Sequence, residues 1–371
     1  MGTTTVTIGA APLEQLLTEV FGAAGCSPAE AARVGRYLVG ANLVGHDSHG
    51  VVRTLRYVEW LQSGVQVADQ ELAFVTDGGC FALVDGRFGM GQTVGPQAVR
   101  LGIERAQSHG VSVIALRHAG HLGRIGDWAE MAAESGCVSI HLVNVAGGAL
   151  VAPFAAVERR MATNPICIGV PLEDGRPPLI LDFATSIVAE GKAQVALDGG
   201  TSLPAGSLIS GDGELTADPT VLYGERRPGA APNPRHGRGA LRAMGEHKGS
   251  GLSMMCEVLA GALTGSGTTG PERTPFCNGM LSIYLDLQRF DVDSTVAADI
   301  LAYVDWFTSA RPATPGVEVL APGQPEQRRK AQRLAEGIPL PADTWASILA
   351  AVDKVGLDRA AAEQLPSTTP A

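Results

Sequence analysis

Two short stretches of this sequence hold paired histidines whose spacing could support chemistry. GHDSHG, residues 45–50, places His46 and His49 three residues apart, and RHAGHLGRIG, residues 117–126, repeats that spacing with His118 and His121. Four of the chain's eight histidines therefore lie in H-x-x-H pairs. An imidazole can ligate a metal ion, transfer a proton near neutral pH, or satisfy a structural hydrogen bond. The residues around each pair help to choose among these roles.

A metal site is one alternative, because each pair could supply two ligands to a zinc ion. A catalytic zinc needs a third protein ligand, however, and the sequence holds no H-E-x-x-H motif. Asp47 is the carboxylate that directly flanks a pair. We therefore predict no metal site, and we keep a metal-dependent hydrolase as an alternative of a different class.

Acid–base chemistry is favoured by the residues that follow GHDSHG. Residues 51–63, VVRTLRYVEWLQS, predict a helix on which Arg53 and Tyr57 share a face at i, i+4. An arginine binds a carboxylate with its planar fork, and a nearby histidine can remove a hydroxyl proton while hydride leaves the same carbon. This combination suits oxidation of a 2-hydroxy acid. From local sequence alone, Arg53 is equally compatible with a surface salt bridge.

Two further stretches could bind a ligand. HKGSG, residues 247–251, predicts a glycine-rich helix N-terminus, where backbone N–H groups and Lys248 favour phosphate, although Lys248 could be an ordinary solvated lysine. LDFATS, residues 181–186, places polar residues at the end of a buried strand, which is either a ligand site or an ordinary strand end.

Two glycine patterns resemble dinucleotide-binding turns, and neither is convincing. GMGQTVG, residues 89–95, follows a predicted strand and precedes a predicted helix, but the next strand, VSVIALRH, ends without the acidic residue that binds a ribose hydroxyl. GSGTTG, residues 265–270, follows a helix and is predicted to be a loop. A Rossmann fold is therefore disfavoured.

Hydrophobic periodicity predicts a mixed α/β protein with helices near both ends. SPAE, residues 27–30, predicts a helix start with Ser27 as cap and Glu30 completing a capping box. Residues 198–247 are rich in Gly, Pro and Arg and predict a long surface excursion. The predicted helices are 11–22, 27–43, 51–63, 94–110, 124–135, 248–264 and 344–355, and the predicted strands are 80–86, 111–118, 138–145, 161–171, 177–185 and 276–287.

Composition limits the possible partners and compartment. The chain has 371 residues, of which 45% are hydrophobic and 18% charged, with a net charge of −10. Without a dense Lys/Arg run, we expect neither nucleic acid nor membrane as a partner. The six cysteines are far apart and predict buried thiols, and the N-terminus lacks the pattern of a signal peptide, so we expect a cytoplasmic protein.

In their order along the chain, these motifs resemble the malate/L-lactate dehydrogenase family, a group of NAD(P)-dependent enzymes without a Rossmann fold. The resemblance rests on GHDSHG with Arg53 and Tyr57, on GHLGRIGDWAE, on TNP at 163–165, on LDFATS followed by GK at 191–192, and on HKGSGLSMMCEVLAGALTG. It continues through GIPLPADTWASI near the end. HLGRIGDWAE, VSIHLV, LVAPF and EHKG are most similar to the hydroxycarboxylate dehydrogenase branch, which reduces 2-oxo acids of the phenylpyruvate type.

The resemblance implies a role for each matching residue. It implies that His121 is the proton donor and acceptor, assisted by Ser48 and His49, and that Arg53 and Tyr57 bind the substrate with Thr163 and Asn164. NAD or NADP would contact a larger set: His49, His121, Leu122, Gly123, Pro178, Leu179, Ile180, Leu181, Asp182, Phe183, Ala184, Gly245, Lys248, Pro322, Gly323 and Gln324. Many family members have Asn-Ser followed by proline where this chain has Asn144 to Gly148, so cofactor contacts from that loop are not expected to follow the usual pattern.

The resemblance also implies an architecture. We expect an α/β fold with a largely antiparallel cofactor-binding sheet at residues 76–289, and a helical substrate and dimer domain built from residues 1–75 and 290–371. The expected assembly is a homodimer acting on a small carboxylate substrate. A reductase of cyclic imino acids is an alternative function on the same scaffold, because an imino acid needs the same acid and the same carboxylate anchor.

Overall fold

The computed structural model describes residues 5–198, 201–224, 233–234, 236–270 and 276–365. In these ranges the α-helices are α1 (Ala10–Ala23), α2 (Pro28–Leu43), α3 (Thr54–Ser63), α4 (Gly91–His109), α5 (Gly126–Glu134), α6 (Glu190–Asp198), α7 (Thr220–Tyr223), α8 (His247–Cys256), α9 (Leu287–Phe290), α10 (Val296–Thr308), α11 (Gln324–Glu336), α12 (Ala342–Lys354) and α13 (Arg359–Glu363). The strands are β1 (Thr5–Ile8), β2 (Ala73–Asp77), β3 (Phe81–Asp85), β4 (Val111–Ala119), β5 (Cys137–Ala146), β6 (Val151–Ala152), β7 (Pro165–Val170), β8 (Leu179–Ala184), β9 (Leu208–Ile209), β10 (Leu215–Thr216), β11 (Ala240–Arg242), β12 (Cys277–Asp286) and β13 (Ile338–Pro341).

A seven-stranded sheet forms the centre of the molecule, in the order β2-β3-β4-β12-β5-β7-β8. Within this sheet β3 and β4 form the parallel pair, and α4 connects them. The other neighbours in this sheet pair antiparallel. The predicted non-Rossmann, largely antiparallel α/β fold is therefore confirmed. The single parallel pair explains why GMGQTVG has the local context of a dinucleotide turn without belonging to a doubly wound sheet.

A helical layer is built from the two ends of the chain. Its core is one hydrophobic cluster that joins α1, α2, α3 and α12. Strand β1 pairs antiparallel with β13, so a short two-stranded ribbon also connects the chain's ends. The sequence had predicted helices in this region, but both strands of the ribbon were missed, because each has only four residues. The burial of apolar side chains from both ends in one cluster positions the segment after α2 beside the central sheet.

The region between β8 and α8 packs with β6, which precedes β7, in a small separate cluster that has a four-stranded sheet in the order β10-β9-β11-β6. Leu208, Leu222 and Leu241 are fully buried in it. The excursion predicted at 198–247 therefore has a core of its own. Residues 199–200, 225–232 and 235 of that predicted region lie outside the described residues.

Two helix ends differ in detail from the predictions. Ser27 caps α2 as expected, because its Oγ accepts a hydrogen bond from the Glu30 N–H at 3.3 Å. The reciprocal half of the predicted capping box is wrong: the Ser27 N–H donates to Asp69 Oδ2 at 2.8 Å, and the Glu30 carboxylate accepts from the Asp69 N–H at 2.6 Å. The acidic partner of the cap thus comes from a distant loop. The first part of the predicted helix 248–264 is α8, which ends at Cys256. A π-helix (Glu257–Ala262) continues it.

The prediction of buried thiols is confirmed except at Cys80, which is exposed. All six cysteines are free thiols, and five of them are buried. None of the described helices combines the length and hydrophobicity that crossing a bilayer would require.

Candidate active site

One histidine from each H-x-x-H pair lies at the same place in the fold. The rings of His49 and His121 are stacked, with centroids 5.7 Å apart and planes at 6°. The other member of each pair faces a carboxylate instead: His46 lies 3.5 Å from Glu326, and His118 lies 3.1 Å from Asp85. Among the described residues, no group of three or more His, Cys, Asp and Glu side chains is arranged to hold a metal ion.

GHDSHG is held in shape by a buried asparagine. Asn42 Nδ2 donates to Asp47 Oδ1 at 2.6 Å, and Asn42 Oδ1 accepts from the Val51 N–H at 2.7 Å. A Cβ at Gly50 would lie 2.0 Å from Asn42 Oδ1, so only glycine permits this approach. Arg333 of α11 also donates to Asp47 Oδ1, at 2.6 Å. Asp47 therefore shapes the turn that presents His49.

His121 lies in the loop after β4, packed against the start of α4. A Cβ at Gly91 would lie 2.1 Å from the His121 carbonyl oxygen, which explains a glycine of GMGQTVG by close backbone approach. The next residue, Leu122, donates its N–H to Asn278 Oδ1 of β12 at 2.9 Å. Contacts with α4 on one side and β12 on the other therefore hold this loop in place. They also fix where the backbone presents the His121 ring.

Tyr57 connects His121 to a residue that the sequence analysis missed. The Tyr57 hydroxyl lies 2.6 Å from His121 Nδ1, and Gln92 Nε2 donates to the same hydroxyl at 3.3 Å. The Tyr57 hydroxyl donates to Nδ1 or accepts from it according to the tautomer of the ring, and in both cases it occupies Nδ1. That leaves Nε2 as the ring atom that exchanges a proton with a substrate. Gln92 is part of GMGQTVG, but the sequence analysis considered only the glycines of that motif.

Burial and a neighbouring cation keep the histidines neutral. Burial is the largest cause of the lowered pKa of His121, which lies well below the usual 6.5, and Arg53 and His49 lower it further. Burial, followed by Arg53, lowers the pKa of His49 to about 3. Burial raises the pKa of Tyr57 to about 12, so its phenol stays protonated. A bound carboxylate that offsets the charge of Arg53 would shift the pKa of His121 back upward.

Arg53 lies beside both histidines and is partly oriented by the motif itself. Its Nε donates to the Ser48 carbonyl oxygen at 2.7 Å, and Ser48 Oγ lies 3.0 Å from His49 Nδ1. The Nη2 atom of Arg53 is 3.6 Å from Glu190 Oε2 of α6. The structure therefore brings together Ser48, His49, Arg53, Tyr57 and His121, as the sequence analysis predicted from separate stretches.

Two aromatic side chains form a wall beside His121. Trp60 lies one turn after Tyr57 on α3, with ring centroids 5.8 Å apart, and it stacks on Phe276 at 4.6 Å. The Phe276 ring is 6.2 Å from that of His121. Neither residue was singled out in the sequence, although Trp60 is at i+3 from Tyr57 and shares its helix face.

The segments expected to hold a cofactor converge on strand β8, at one edge of the central sheet. A Cβ at Gly323 would lie 3.1 Å from the Pro178 carbonyl oxygen and from the Ile180 N–H nitrogen. Asp182 Oδ2 accepts from the Gly126 N–H at 2.7 Å, which joins β8 to the loop that follows His121. The other predicted cofactor residues belong to these same three segments of the chain. They are Leu122, Gly123, Leu179, Leu181, Phe183, Ala184, Pro322 and Gln324.

The N-terminus of α8 meets the other end of β8. A Cβ at Gly249 would lie 2.8 Å from the Thr185 carbonyl oxygen, and the Met244 N–H donates to that same oxygen at 2.9 Å. Lys248 is exposed in the first turn of the helix, and Gly245 takes a positive φ of 54° just before it. The N–H groups of Lys248 and Gly249 already donate to the Gly245 and Met244 carbonyl oxygens, at 3.2 and 3.0 Å, so the exposed lysine side chain is the group that fits a phosphate.

Thr163 and Asn164 are positioned differently from the other predicted substrate residues. Asn164 is fully buried, and its Nδ2 donates to Glu257 Oε1 at 2.9 Å and to Ser253 Oγ at 3.1 Å. The Thr163 carbonyl oxygen accepts from the Thr185 N–H at 2.9 Å. The amide of Asn164 thus ties β7 to α8 and the π-helix, and direct contact of either residue with substrate stays a prediction.

Comparison with known proteins decides the family. The sequence profile of the malate/L-lactate dehydrogenase family matches residues 8–349. The chain belongs to this family. A solved Escherichia coli protein of the malate/lactate dehydrogenase type superposes with a TM-score of 0.89 at 35% identity, covering 97% of this chain and 99% of that one.

Within the malate/L-lactate dehydrogenase family, two relatives bear on the activity. Hydroxycarboxylate dehydrogenase B of Escherichia coli K12 is 37% identical over 93% of both chains. A Pseudomonas putida protein named as a reductase of Δ1-pyrroline-2-carboxylate and Δ1-piperideine-2-carboxylate is 35% identical over 71% of this chain and 72% of its own length. The chain is therefore an oxidoreductase of a family of hydroxy acid dehydrogenases, whose members use nicotinamide cofactors.

Proposed function

We propose that this protein interconverts a 2-oxo acid and a 2-hydroxy acid by hydride transfer with NAD or NADP, with His121 as the general acid and base. The observation that carries the proposal is the hydrogen bond of 2.6 Å between Tyr57 and His121 Nδ1, formed beside the guanidinium of Arg53. A proton-transfer group and a carboxylate anchor in one partly buried site are what this reaction requires.

Each side chain has a part in the proposed reaction. Arg53 binds the substrate carboxylate and directs the neighbouring carbonyl oxygen toward His121 Nε2. A nicotinamide held beside β8 would supply the hydride to the carbonyl carbon, and negative charge would develop on the carbonyl oxygen. His121 transfers a proton to that oxygen, and Tyr57 holds the opposite ring nitrogen. In the oxidative direction, His121 accepts the hydroxyl proton. Ser48 and His49 close the site next to Arg53.

The proposed cofactor site runs along β8. The residues after His121, the strand residues from Pro178 to Ala184, and the turn from Pro322 to Gln324 surround one edge of the sheet. Lys248, three residues after Gly245, adds an exposed positive charge at one end of that edge. His49 and His121 lie where the cofactor and substrate regions meet. NAD and NADP fit these features equally, so the proposal covers both.

A cyclic imino acid is the second candidate substrate, supported by the Pseudomonas putida relative. An imino acid also carries a carboxylate for Arg53 and a polarised C=N bond that accepts a hydride. A metal-dependent hydrolase has no comparable support, since the two histidine pairs divide between the site and the carboxylates of Glu326 and Asp85. The family assignment makes the chain an oxidoreductase.

A panel of 2-oxo acids and cyclic imines, each assayed with NADH and NADPH, tests the proposal. We expect loss of the reduced-nicotinamide absorbance with at least one 2-oxo monoacid, and the aromatic wall of Trp60 and Phe276 favours phenylpyruvate over pyruvate. Turnover of imines alone would favour the second candidate. No turnover with any of these compounds would contradict both.

We also propose that the protein forms a homodimer. Apolar side chains are exposed along one side of α8 and the π-helix, where a soluble monomer would normally place polar ones. They are Leu252, Met254, Met255, Val258 and Leu263. A self-complementary patch of this kind fits a two-fold interface between copies. The division into a helical substrate and dimer domain, residues 1–75 and 290–371, and a cofactor domain, residues 76–289, stays a prediction, and the exposed patch lies in the cofactor domain.

A further inference from the structure

We infer that Glu190 makes this site selective for 2-oxo acids with a single carboxylate, by rejecting substrates that carry a second anionic group. The inference rests on the proposed function and specifies its substrate class. Its basis is a carboxylate that faces the proposed substrate anchor: Glu190 Oε2 lies 3.6 Å from Arg53 Nη2.

The Glu190 carboxylate is held in place instead of moving freely. The Tyr223 hydroxyl donates to Glu190 Oε1 at 2.9 Å, and the Glu190 side chain is only 17% exposed. Tyr223 is itself buried in the small cluster behind α6. A carboxylate anchored from behind and largely shielded from water exerts its charge on the site more strongly than a solvated one.

The backbone also sets the position of Glu190. The next residue, Gly191, packs directly on GHDSHG, and a Cβ there would lie 2.6 Å from Ser48 Cβ. Only glycine lets the first turn of α6 approach this closely. The packing of α6 therefore places Glu190 beside the proposed substrate site. Its position is set by this packing and does not depend on the choice of one rotamer among several, as it would for a surface residue.

The guanidinium of Arg53 still has donors for a substrate. At 3.6 Å, its contact with Glu190 is an ion pair that is too long for a hydrogen bond. Its Nε is used by the Ser48 carbonyl oxygen. Within the described part of the chain, neither Nη atom makes a hydrogen bond, so both can donate to one incoming carboxylate.

A second anionic group on the substrate finds no favourable place. If it extended away from Arg53 past His121, it would meet the Trp60 and Phe276 rings, which solvate a charge poorly. If it folded back toward Arg53, it would meet the fixed carboxylate of Glu190, a like charge. An apolar side chain meets neither penalty. The site is therefore suited to monocarboxylic 2-oxo acids.

The test compares two substrates that differ only at one end, 2-oxopentanoate and 2-oxoglutarate. We expect Glu190→Gln to raise the ratio of kcat/KM for 2-oxoglutarate over 2-oxopentanoate by about tenfold or more, mainly through KM. The kcat/KM for 2-oxopentanoate alone should change by less than about threefold. Glu134→Gln is the control, because it removes the same charge from an exposed position on α5 and should leave the ratio unchanged.

Each other outcome overturns the inference. An equal gain for both acids would mean that Glu190 merely competes with the substrate carboxylate, and an equal loss would mean that it orients Arg53. An unchanged ratio would remove the selective role. Glu190→Ala replaces the glutamine variant if that variant fails to fold, as judged by thermal unfolding.

The same experiment separates this inference from the proposed function. If the wild-type protein turns over no 2-oxo acid with either nicotinamide, the proposed function fails. Calorimetric binding of the two acids, with oxidised nicotinamide present, then still measures selection: 2-oxopentanoate should bind more tightly than 2-oxoglutarate, and Glu190→Gln should narrow the difference. If turnover is found and the ratio does not respond, only the role of Glu190 is wrong.

Discussion

At the scale of single residues, proton transfer depends on which ring nitrogen of His121 is held by the protein. The Tyr57 hydroxyl occupies Nδ1 at 2.6 Å, and Gln92 orients that hydroxyl from the other side. The chain Gln92–Tyr57–His121 therefore directs Nε2 toward the substrate. His49 stacks on the same ring without such a bond to Tyr57, which makes His121 the better acid and base of the two.

Replacing His121 should abolish most of the catalysis. Positioned acid–base catalysis contributes roughly 10²–10⁴-fold, so His121→Ala should lose about that factor in kcat while folding normally and still binding cofactor. His118→Asn is the matched control, because His118 has a φ of 49° that asparagine tolerates, and its partner is Asp85. Wild-type kcat in His121→Ala would make His49 the next candidate.

The pH dependence of the reaction should have opposite signs in the two directions. Reduction needs protonated His121, so its kcat/KM should fall as pH rises through the His121 pKa, and the oxidative kcat/KM should rise. Because burial and Arg53 lower that pKa, the midpoint in the free enzyme should lie below 6.5. Initial-rate pH profiles in both directions measure this, and a midpoint above 7 would contradict the assignment.

Gln92 should affect turnover more than binding. Gln92→Leu removes the donor that orients the Tyr57 hydroxyl, so the hydrogen bond that holds His121 Nδ1 weakens. A neutral hydrogen bond contributes about 0.5–1.5 kcal/mol, and kcat should fall roughly two- to tenfold with KM nearly constant. Gln97→Leu is a control on the same helix, because Gln97 bonds to the Leu72 and Gln70 backbone. If both variants lost activity equally, in proportion to their loss of stability, Gln92 would have only a structural role.

At the scale of elements, two helix starts define the site. The first turn of α4 packs on the His121 loop, where Gly91 permits the contact, and the first turn of α8 packs on the end of β8. A helix start presents unpaired backbone N–H groups, which suit an anionic ligand when they face a cleft. In α4 the close packing of protein backbone takes that place, so GMGQTVG has a structural explanation. At the start of α8 the N–H groups of Lys248 and Gly249 donate to backbone carbonyl oxygens, and the exposed side chain of Lys248 is the group that can reach an anion.

Lys248 at the start of α8 should affect the cofactor and spare the substrate. Lys248→Ala should raise the Kd of the nicotinamide cofactor by about tenfold, since a charge-assisted hydrogen bond contributes about 1.5 kcal/mol or more. The substrate KM at saturating cofactor should be unchanged. Lys354→Ala, at the exposed end of α12, controls for the loss of one positive charge. A fluorescence titration that gives the wild-type Kd would show that Lys248 is an ordinary solvated lysine.

At the scale of the whole molecule, one exposed hydrophobic patch lies beside the proposed cofactor site. The apolar side of α8 and the π-helix is continuous with the helix whose first turn is proposed to bind cofactor. Met254 is 57% exposed and Leu263 is 62% exposed. Covering this surface with a second copy would fix α8 and, through it, the start of the cofactor site. Dimerisation and cofactor affinity should therefore change together.

A lysine at Met254 should disrupt the dimer. Light scattering should give twice the chain mass of 38.3 kDa for the wild type and a shift toward 38.3 kDa for Met254→Lys. Leu334→Lys on α11 is a control, because Leu334 is similarly exposed at 56% but outside the patch. A wild-type protein that is monomeric at micromolar concentration would contradict the proposed dimer.

The sequence by itself determined the elements with strong periodicity and the motifs with local chemistry. The helices α1, α2 and α12 and the strands β4, β5 and β12 were predicted because each has a regular apolar pattern long enough to be read. Arg53 and Tyr57 could be placed on one helix face for the same reason. The family resemblance then linked the separate motifs, and the fold that it implied was confirmed.

Only the tertiary structure decided which of these residues meet. Nothing in local spacing shows that His49 and His121 stack while His46 and His118 turn to Glu326 and Asp85. Four residues reach the site from parts of the chain that are far apart. They are Gln92 on α4, Trp60 on α3, Phe276 just before β12, and Glu190 on α6. Their approach depends on how buried apolar faces pack and where a missing Cβ lets backbones touch, and both are properties of the folded chain.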